Sequence, residues 1–177
     1  MFKVGVLTVS DKGYAGERVD GSGALIIEIL KKNNFCVEKY EIVPDEKDLI
    51  SQSLIDMCDK DKVDLILTTG GTGFSQRDVT PEATMDVIER HVPGIPEAMR
   101  SKSMLITPKA MLSRAVCGIR KQTLIINMPG SPKAVGECME IILPVLPHAL
   151  QILTGQTGEC GNVVPGTEKE LAYEGCR

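Results

Sequence analysis

The run Leu65-Ile66-Leu67-Thr68-Thr69-Gly70-Gly71-Thr72-Gly73, followed by Arg77-Asp78-Val79-Thr80-Pro81-Glu82, constrains the fold of this chain more than any other segment. An apolar β-type run stops at a glycine-rich turn, and a helix-start signal follows shortly after. Near-continuous hydrophobicity from Val63 to Thr69 predicts a strand covered on both faces, as in a parallel sheet. At a strand end in an open α/β sheet, such a turn is where phosphates and nucleotides are held, because the backbone comes close to the ligand and aims several N–H groups at one anion. A plain strand-to-loop turn accounts for the same residues without a ligand. The turn is not a Walker A motif, since no Lys-Ser or Lys-Thr follows at the required spacing, nor a dinucleotide fingerprint, since Gln76 stands where glycine or alanine is needed.

The flanking segments alternate between strand and helix patterns. Phe2 to Val9 reads as the first strand, Tyr14 to Gly23 as a polar loop, and a helix starting near Ser22 carries Leu25, Ile26, Ile29 and Leu30 on its apolar face. Cys36 to Val43 reads as the second strand. Pro44-Asp45-Glu46 opens a helix with Asp45 as its N-cap. Thr80 and Pro81 read as N-cap and first residue of a helix running to Arg90, and a short helix is expected over Glu97 to Ser103. Ser113 to Ile119 and Thr123 to Asn127 are expected to pair as a hairpin. Ser131 and Pro132 start a long helix that Pro144 and Pro147 should bend before it resumes toward Leu153. The alternation predicts one three-layer α/β/α sandwich with a mostly parallel, mixed sheet over residues 1–154. Apolar periodicity disappears after Gly155, so 155–177 reads as a C-terminal tail, mobile or partner-dependent.

The 177 residues suffice for a real core, and 42% hydrophobic with 25% charged residues is an ordinary soluble balance. With no signal-peptide pattern and no apolar run of membrane-spanning length, a cytoplasmic protein without a membrane segment is expected. A net charge of −4 argues against general nucleic-acid binding, which needs a basic face, while leaving room for a phosphate held by backbone amides. Cys36, Cys58, Cys117, Cys138, Cys160 and Cys176 form no C-x-x-C pair, so free thiols are expected rather than zinc ligands. His91 and His148 stand alone and read as surface or packing residues.

Chemistry is therefore sought where strand ends converge. Ser10 and Asp11 follow strand one, Asp45 follows strand two, Gly70 to Asp78 follow strand three, and Asn127 to Ser131 precede the long helix. In a parallel arrangement these loops share one sheet edge. Asp45 fits a plain N-cap, and a local Asx turn explains Asp78 as well as a ligand does. Two carboxylates at the rim of a phosphate site would also suit Mg²⁺. Ser113 and Arg114 belong either to an exposed edge or to the same cavity. Gly130-Ser131-Pro132 presents amides at a helix N-terminus, a second plausible anion site. No Ser/His/Asp or Cys/His arrangement recommends a protein nucleophile.

Taken in order, Val9-Ser10-Asp11, Val43-Pro44-Asp45, Thr68-Thr69-Gly70-Gly71-Thr72-Gly73, Arg77 to Glu82, Leu112-Ser113-Arg114 and Ile126 to Pro132 closely resemble the molybdopterin adenylyltransferase family. This is the MogA/MoaB type, found also as the G domains of gephyrin and of plant Cnx proteins, and the resemblance covers roughly residues 2–154. It implies transfer of AMP from Mg-ATP to the terminal phosphate of molybdopterin, with release of pyrophosphate. It implies Asp45 and Asp78 as the catalytic pair and Mg²⁺ site. Ser10, Asp11, Thr69, Gly70, Gly71, Thr72, Gly73, Ser113, Arg114, Pro129, Gly130 and Ser131 would bind the substrates. It further implies a homotrimer that passes its product to a separate molybdenum insertase. Some MoaB-like relatives lack the activity, so the alternative is a non-catalytic molybdopterin-binding module.

Overall fold

Period-two alternation in three strands divides the side chains between two cores. Val4 and Val6, Leu65 and Leu67, and Leu124, Ile126 and Met128 point to one face of the sheet. Leu7 and Val9, Ile66, and Ile125 point to the other. The computed structural model describes residues 1–156. The strands are β1 (Lys3–Val9), β2 (Cys36–Val43), β3 (Leu65–Thr69), β4 (Arg90–His91), β5 (Cys117–Arg120) and β6 (Thr123–Met128), in the sheet order β2-β1-β3-β6-β5-β4. The first four in that order are mutually parallel, whereas β5 is added antiparallel to β6 and β4 antiparallel to β5 at one edge. The expected mixed α/β sandwich and its hairpin are both present.

The helices are α1 (Asp11–Tyr14), α2 (Gly21–Lys32), α3 (Lys47–Asp59), α4 (Thr80–Val87), α5 (Gly94–Met104), α6 (Pro132–Ile142) and α7 (Leu146–Leu153). Ile26 and Leu30 of α2, Met99 of α5, Val135, Cys138, Met139 and Ile142 of α6, and Leu146 and Leu150 of α7 fill one core. Ile50, Leu54 and Met57 of α3 with Ala83 and Val87 of α4 fill the other. Helices α6 and α7 meet at 64° across the break before Pro147, as the prolines predict. Among the described residues, no single helix is long and apolar enough to cross a membrane.

Several local expectations are overturned. The segment from Tyr14 to Gly23 is not all loop: α1 is capped by Ser10, and α2 starts at Gly21 with Asp20 accepting the Ser22 and Gly23 amides. Asp45 does not cap α3; Glu46 holds that position without a side-chain bond, because the Asp45 carboxylate is drawn to the Asp11 amide. Thr80 is not an N-cap either, since its hydroxyl donates to the Gly70 carbonyl. Helix α4 ends at Val87, short of Arg90, because Arg90 and His91 pair with β5. Strand β5 begins at Cys117 rather than Ser113, after a 3-10 turn over Pro108–Leu112 that the sequence pattern did not announce. Of the expected tail, all beyond residue 156 lies outside the described residues, including Cys160 and Cys176.

Candidate functional site

Strand order reverses between β1 and β3, because β1 is flanked by β2 on one side and β3 on the other. The crevice at such a reversal, outside the carboxyl ends of the strands, is where open α/β sheets bind ligands. Four loops meet there, after β1, β2, β3 and β6. Gly130 packs so close to Gly70 that an added Cβ would lie 3.3 Å from the Gly70 Cα. The Thr69 hydroxyl donates to the Pro129 carbonyl at 2.7 Å, and the Ser22 hydroxyl donates to the Gly130 carbonyl at 2.9 Å. The first bond holds the β6–α6 loop against the strand end that carries the glycine turn, and the second ties the same loop to α2.

The turn requires its glycines. Gly70 and Gly71 have φ of 99° and 62°, in the left-handed region. A Cβ on Gly70 would stand 2.2 Å from the Val9 carbonyl oxygen, and one on Gly71 would stand 2.3 Å from Thr80 Oγ1. The amides of Gly71, Thr72 and Gly73 find no acceptor among the described residues, as expected of an anion-binding nest.

The two aspartates flank this turn. A Cβ on Gly71 would be 3.3 Å from Asp45 Oδ1, and one on Gly73 would be 2.9 Å from Asp78 Oδ2. Each carboxylate is fixed through one oxygen: Asp45 Oδ2 accepts the Asp11 amide at 2.8 Å, and Asp78 Oδ2 accepts the Ser75 amide at 2.8 Å. Asp45 Oδ1 and Asp78 Oδ1 accept no hydrogen bond from the described residues. Burial raises the Asp45 carboxyl above the ordinary aspartate range. The Asp11 amide opposes that rise, while the negative charges of Asp11 and Asp78 add to it. This is the electrostatic condition of a place that gains from a cation.

Two cavities adjoin the turn and share Gly71, Asp78 and Gly130. One, of about 450 Å³, is lined by Ser10, Asp45, Thr69 and Gly70 together with Arg18, Asp20 and Ser22. The other, of about 460 Å³, is lined by Thr72, Gly73, Ser113, Pro129 and Ser131, with Arg100, Lys109 and Glu137. Twelve of the fourteen expected site residues therefore border one cavity or both.

Asp11 and Arg114 border neither cavity. Both Asp11 oxygens accept from the Arg77 guanidinium, at 2.8 and 3.1 Å, and one also accepts the Asp45 amide at 3.0 Å. Arg77, through its hydrogen bonds, and then the Asp45 amide hold the Asp11 carboxyl below the usual range. Arg114 donates to the carbonyls of Gly73, at 2.7 Å, and Asp78, and to Glu82, bracing the turn from behind. Asp20 lies outside the expected site residues yet lines the first cavity, and Asp-Gly-Ser-Gly ahead of a helix pattern is a visible capping signal. Arg100, Lys109 and Glu137 had no local signal; α5, the 3-10 turn and α6 bring them together.

Two buried cysteines of the sheet and α3 are unsuited to nucleophilic chemistry. Burial pushes the Cys117 thiol up to about 12 and the Cys58 thiol up to about 11, so neither forms a thiolate at neutral pH. Among the described residues, no three His, Cys, Asp or Glu side chains cluster as a closed metal site. Two carboxylates with one open oxygen each nevertheless suit Mg²⁺, a hard cation that keeps waters and takes its remaining ligands from substrate phosphates.

Comparison with known sequences and structures finds relatives over most of the chain. The family described as "Probable molybdopterin binding domain" matches residues 5–148. The chain is 47% identical over 154 residues to the molybdopterin adenylyltransferase of Helicobacter pylori J99, covering 86% of this chain and 88% of that protein. It is 37% identical over 167 residues to the molybdopterin adenylyltransferase of Escherichia coli K12, with 86% of each covered. The crystal structure of the molybdopterin biosynthesis enzyme MoaB from Thermus thermophilus superposes with a TM-score of 0.83 at 53% identity, over 88% of this chain and 98% of that one.

Proposed function

Since the chain belongs to the family of molybdopterin-binding domains of molybdenum cofactor biosynthesis, we propose that it is a molybdopterin adenylyltransferase whose reaction centre is the rim shared by the two cavities. A terminal phosphate oxygen of molybdopterin attacks the α-phosphorus of ATP. A new P–O bond forms, the bond to the bridging oxygen breaks, and pyrophosphate leaves with that electron pair. Both reactants are anions, so much of the barrier is repulsion.

The observation that carries this reading is the pair of open carboxylate oxygens, Asp45 Oδ1 and Asp78 Oδ1, on either side of an amide-rich turn between two cavities. Asp45 and Asp78 would hold Mg²⁺, which supplies charge neutralisation on the phosphate oxygens. The Gly71, Thr72 and Gly73 amides offer fixed dipoles to the same oxygens without reorganising during reaction. Two adjoining cavities suit two large ligands held end to end, and such alignment contributes up to ~7–11 kcal/mol in favourable systems. No protein nucleophile is needed, which agrees with the raised thiols of Cys58 and Cys117.

Homotrimer assembly and delivery to an insertase belong to the same proposal. Exposed Leu105, Ile106 and Met111 give the surface an apolar stretch beside the second cavity that supports assembly.

The test is direct. Protein, Mg-ATP and molybdopterin are mixed, and both pyrophosphate and the AMP–molybdopterin adduct are measured. Asp45→Asn and Asp78→Asn should each lower kcat by ~10²–10³-fold, the range for removing one transition-state contact, with thermal midpoints nearly unchanged. Ligand binding without adduct would identify a carrier instead. Full turnover by Asp78→Asn would remove its catalytic role.

A further inference from the structure

We propose that Arg77 and Asp11 are positioning residues, forming a clasp that sets the spacing of Asp45 and Asp78. The inference rests on the adenylyltransferase reading and assigns Asp11 a part other than substrate contact. Arg77 immediately precedes Asp78 in the loop after β3, and Asp11 opens α1 after β1. The guanidinium spans these loops with two bonds to the Asp11 carboxylate and a third, at 2.7 Å, to Glu46 beside Asp45. Asp11 in turn engages Asp45 reciprocally: the Asp11 amide donates to Asp45 Oδ2, and the Asp45 amide donates to Asp11 Oδ1. One chain of contacts therefore runs from the backbone beside Asp78, through Arg77 and Asp11, to the backbone and carboxylate of Asp45.

Asp11 has no remaining task at the ligand. It borders neither cavity, and both of its oxygens are taken by Arg77 and the Asp45 amide. Arg77 likewise borders neither cavity. The Arg77 and Asp11 side chains are 51% and 46% exposed, so their pairing contributes little to global stability. A pair with little value to the fold, joined to the two aspartates that flank the site, fits positioning rather than scaffolding. Because a displacement of about 1 Å at reacting groups costs on the order of 10²-fold in rate, loosening this clasp should be read in kcat.

The experiment uses the full chain in the adduct assay with Arg77→Met, Asp11→Ala, Asp11→Asn and the Arg77→Met/Asp11→Ala double variant. Wild type and Asp78→Asn run alongside. Arg77→Met and Asp11→Ala should each lower kcat by about 10- to 100-fold, with KM for ATP within about threefold of wild type and thermal midpoints nearly unmoved. The double variant should be no slower than the worse single, since both act through one link. Asp11→Asn, which keeps an acceptor for the Asp45 amide, should recover part of the loss. Lys32→Met, which breaks an exposed ion pair with Glu28 at the far end of α2, should leave kcat unchanged.

Three outcomes would overturn the clasp: full kcat in Arg77→Met, a rise in KM at constant kcat, or multiplicative losses in the double variant. Wild type without adduct, or Asp78→Asn at full rate, would instead sink the reading of the site itself, and the two failures are distinct.

Discussion

The two edges of the sheet treat carboxylates in opposite ways. At the edge where the parallel strands begin, Asp59 at the end of α3 receives the Arg120 guanidinium at 2.7 and 3.1 Å and the Lys121 ammonium at 2.9 Å. Hydrogen bonds from Arg120 and then Lys121 hold its carboxyl down to about 2. At the edge where those strands end, no side-chain cation among the described residues donates to Asp45 or Asp78, and the Asp45 carboxyl is raised. The first arrangement is a staple, tying α3 to the β5–β6 hairpin. In the second, no side-chain cation among the described residues bonds the two carboxylates, and the proposed Mg²⁺ would supply the missing positive charge. Ion pairing alone does not mark a site; the informative feature is a carboxylate that a charge-rich surface has left without a partner.

The sharpest way to break the contrast is through the backbone. Gly70→Ala puts a Cβ 2.2 Å from the Val9 carbonyl oxygen at a φ of 99°, so the ends of β1 and β3 must part. Left-handed strain and overpacking together should cost ~2–5 kcal/mol, read from the denaturant midpoint. Gly94→Ala, where nothing lies within 4 Å of the added Cβ, should change stability by no more than about 0.5 kcal/mol. Equal losses at the two positions would mean that the turn at the strand ends is not specially constrained.

The same constraint explains what the sequence made legible. Three glycines in four residues are readable because few backbone arrangements demand them, and the apolar alternation of β1, β3 and β6 is readable because each face has its own core. Asp45 and Asp78 were legible as members of a motif, but not as geometry. Local rules favoured an N-cap for Asp45, and the competing Asp11 amide is supplied by a loop 34 positions away. The end of α4 departs from its local pattern for a similar reason: the helix pattern continues toward Arg90, but pairing with β5 takes Arg90 and His91. Side chains that converge only through tertiary packing, such as Arg100, Lys109 and Glu137, leave no mark in local spacing.

A smaller effect is expected at the staple. The Arg120 and Asp59 side chains are only 20% and 24% exposed, and Arg120 also donates to the Val87 carbonyl at 3.2 Å. The pair lies between an exposed ion pair, worth ~0–1 kcal/mol, and a fully buried one, whose disruption costs ~3–5 kcal/mol. Arg120→Met should therefore destabilise by about 1–2 kcal/mol in denaturant. Its kcat should equal that of wild type, since the staple lies at the edge away from the turn. A kcat loss as large as that of Arg77→Met would show that the two edges are coupled.

The finest test compares signs. The folded Asp59 carboxyl sits at about 2, below its ordinary 3.8, so the unfolded chain binds the extra proton between those values. Its stabilisation is fully present above the unfolded pKa and is lost as pH falls toward about 2. Asp59→Asn should thus lower stability at pH 7 and flatten the loss of stability on acidification from about pH 4. Asp45 is shifted the other way, so its ionised form opposes folding once pH rises through its raised folded value. Asp45→Asn keeps an amide oxygen for the Asp11 N–H while removing that charge. Without added Mg²⁺ at pH 7 it should leave stability unchanged or slightly higher, even as turnover is expected to fall. Chemical denaturation of the two variants reads both signs, and a loss of stability in Asp45→Asn as large as that in Asp59→Asn would show that Asp45 serves the fold as a staple rather than being held at its expense.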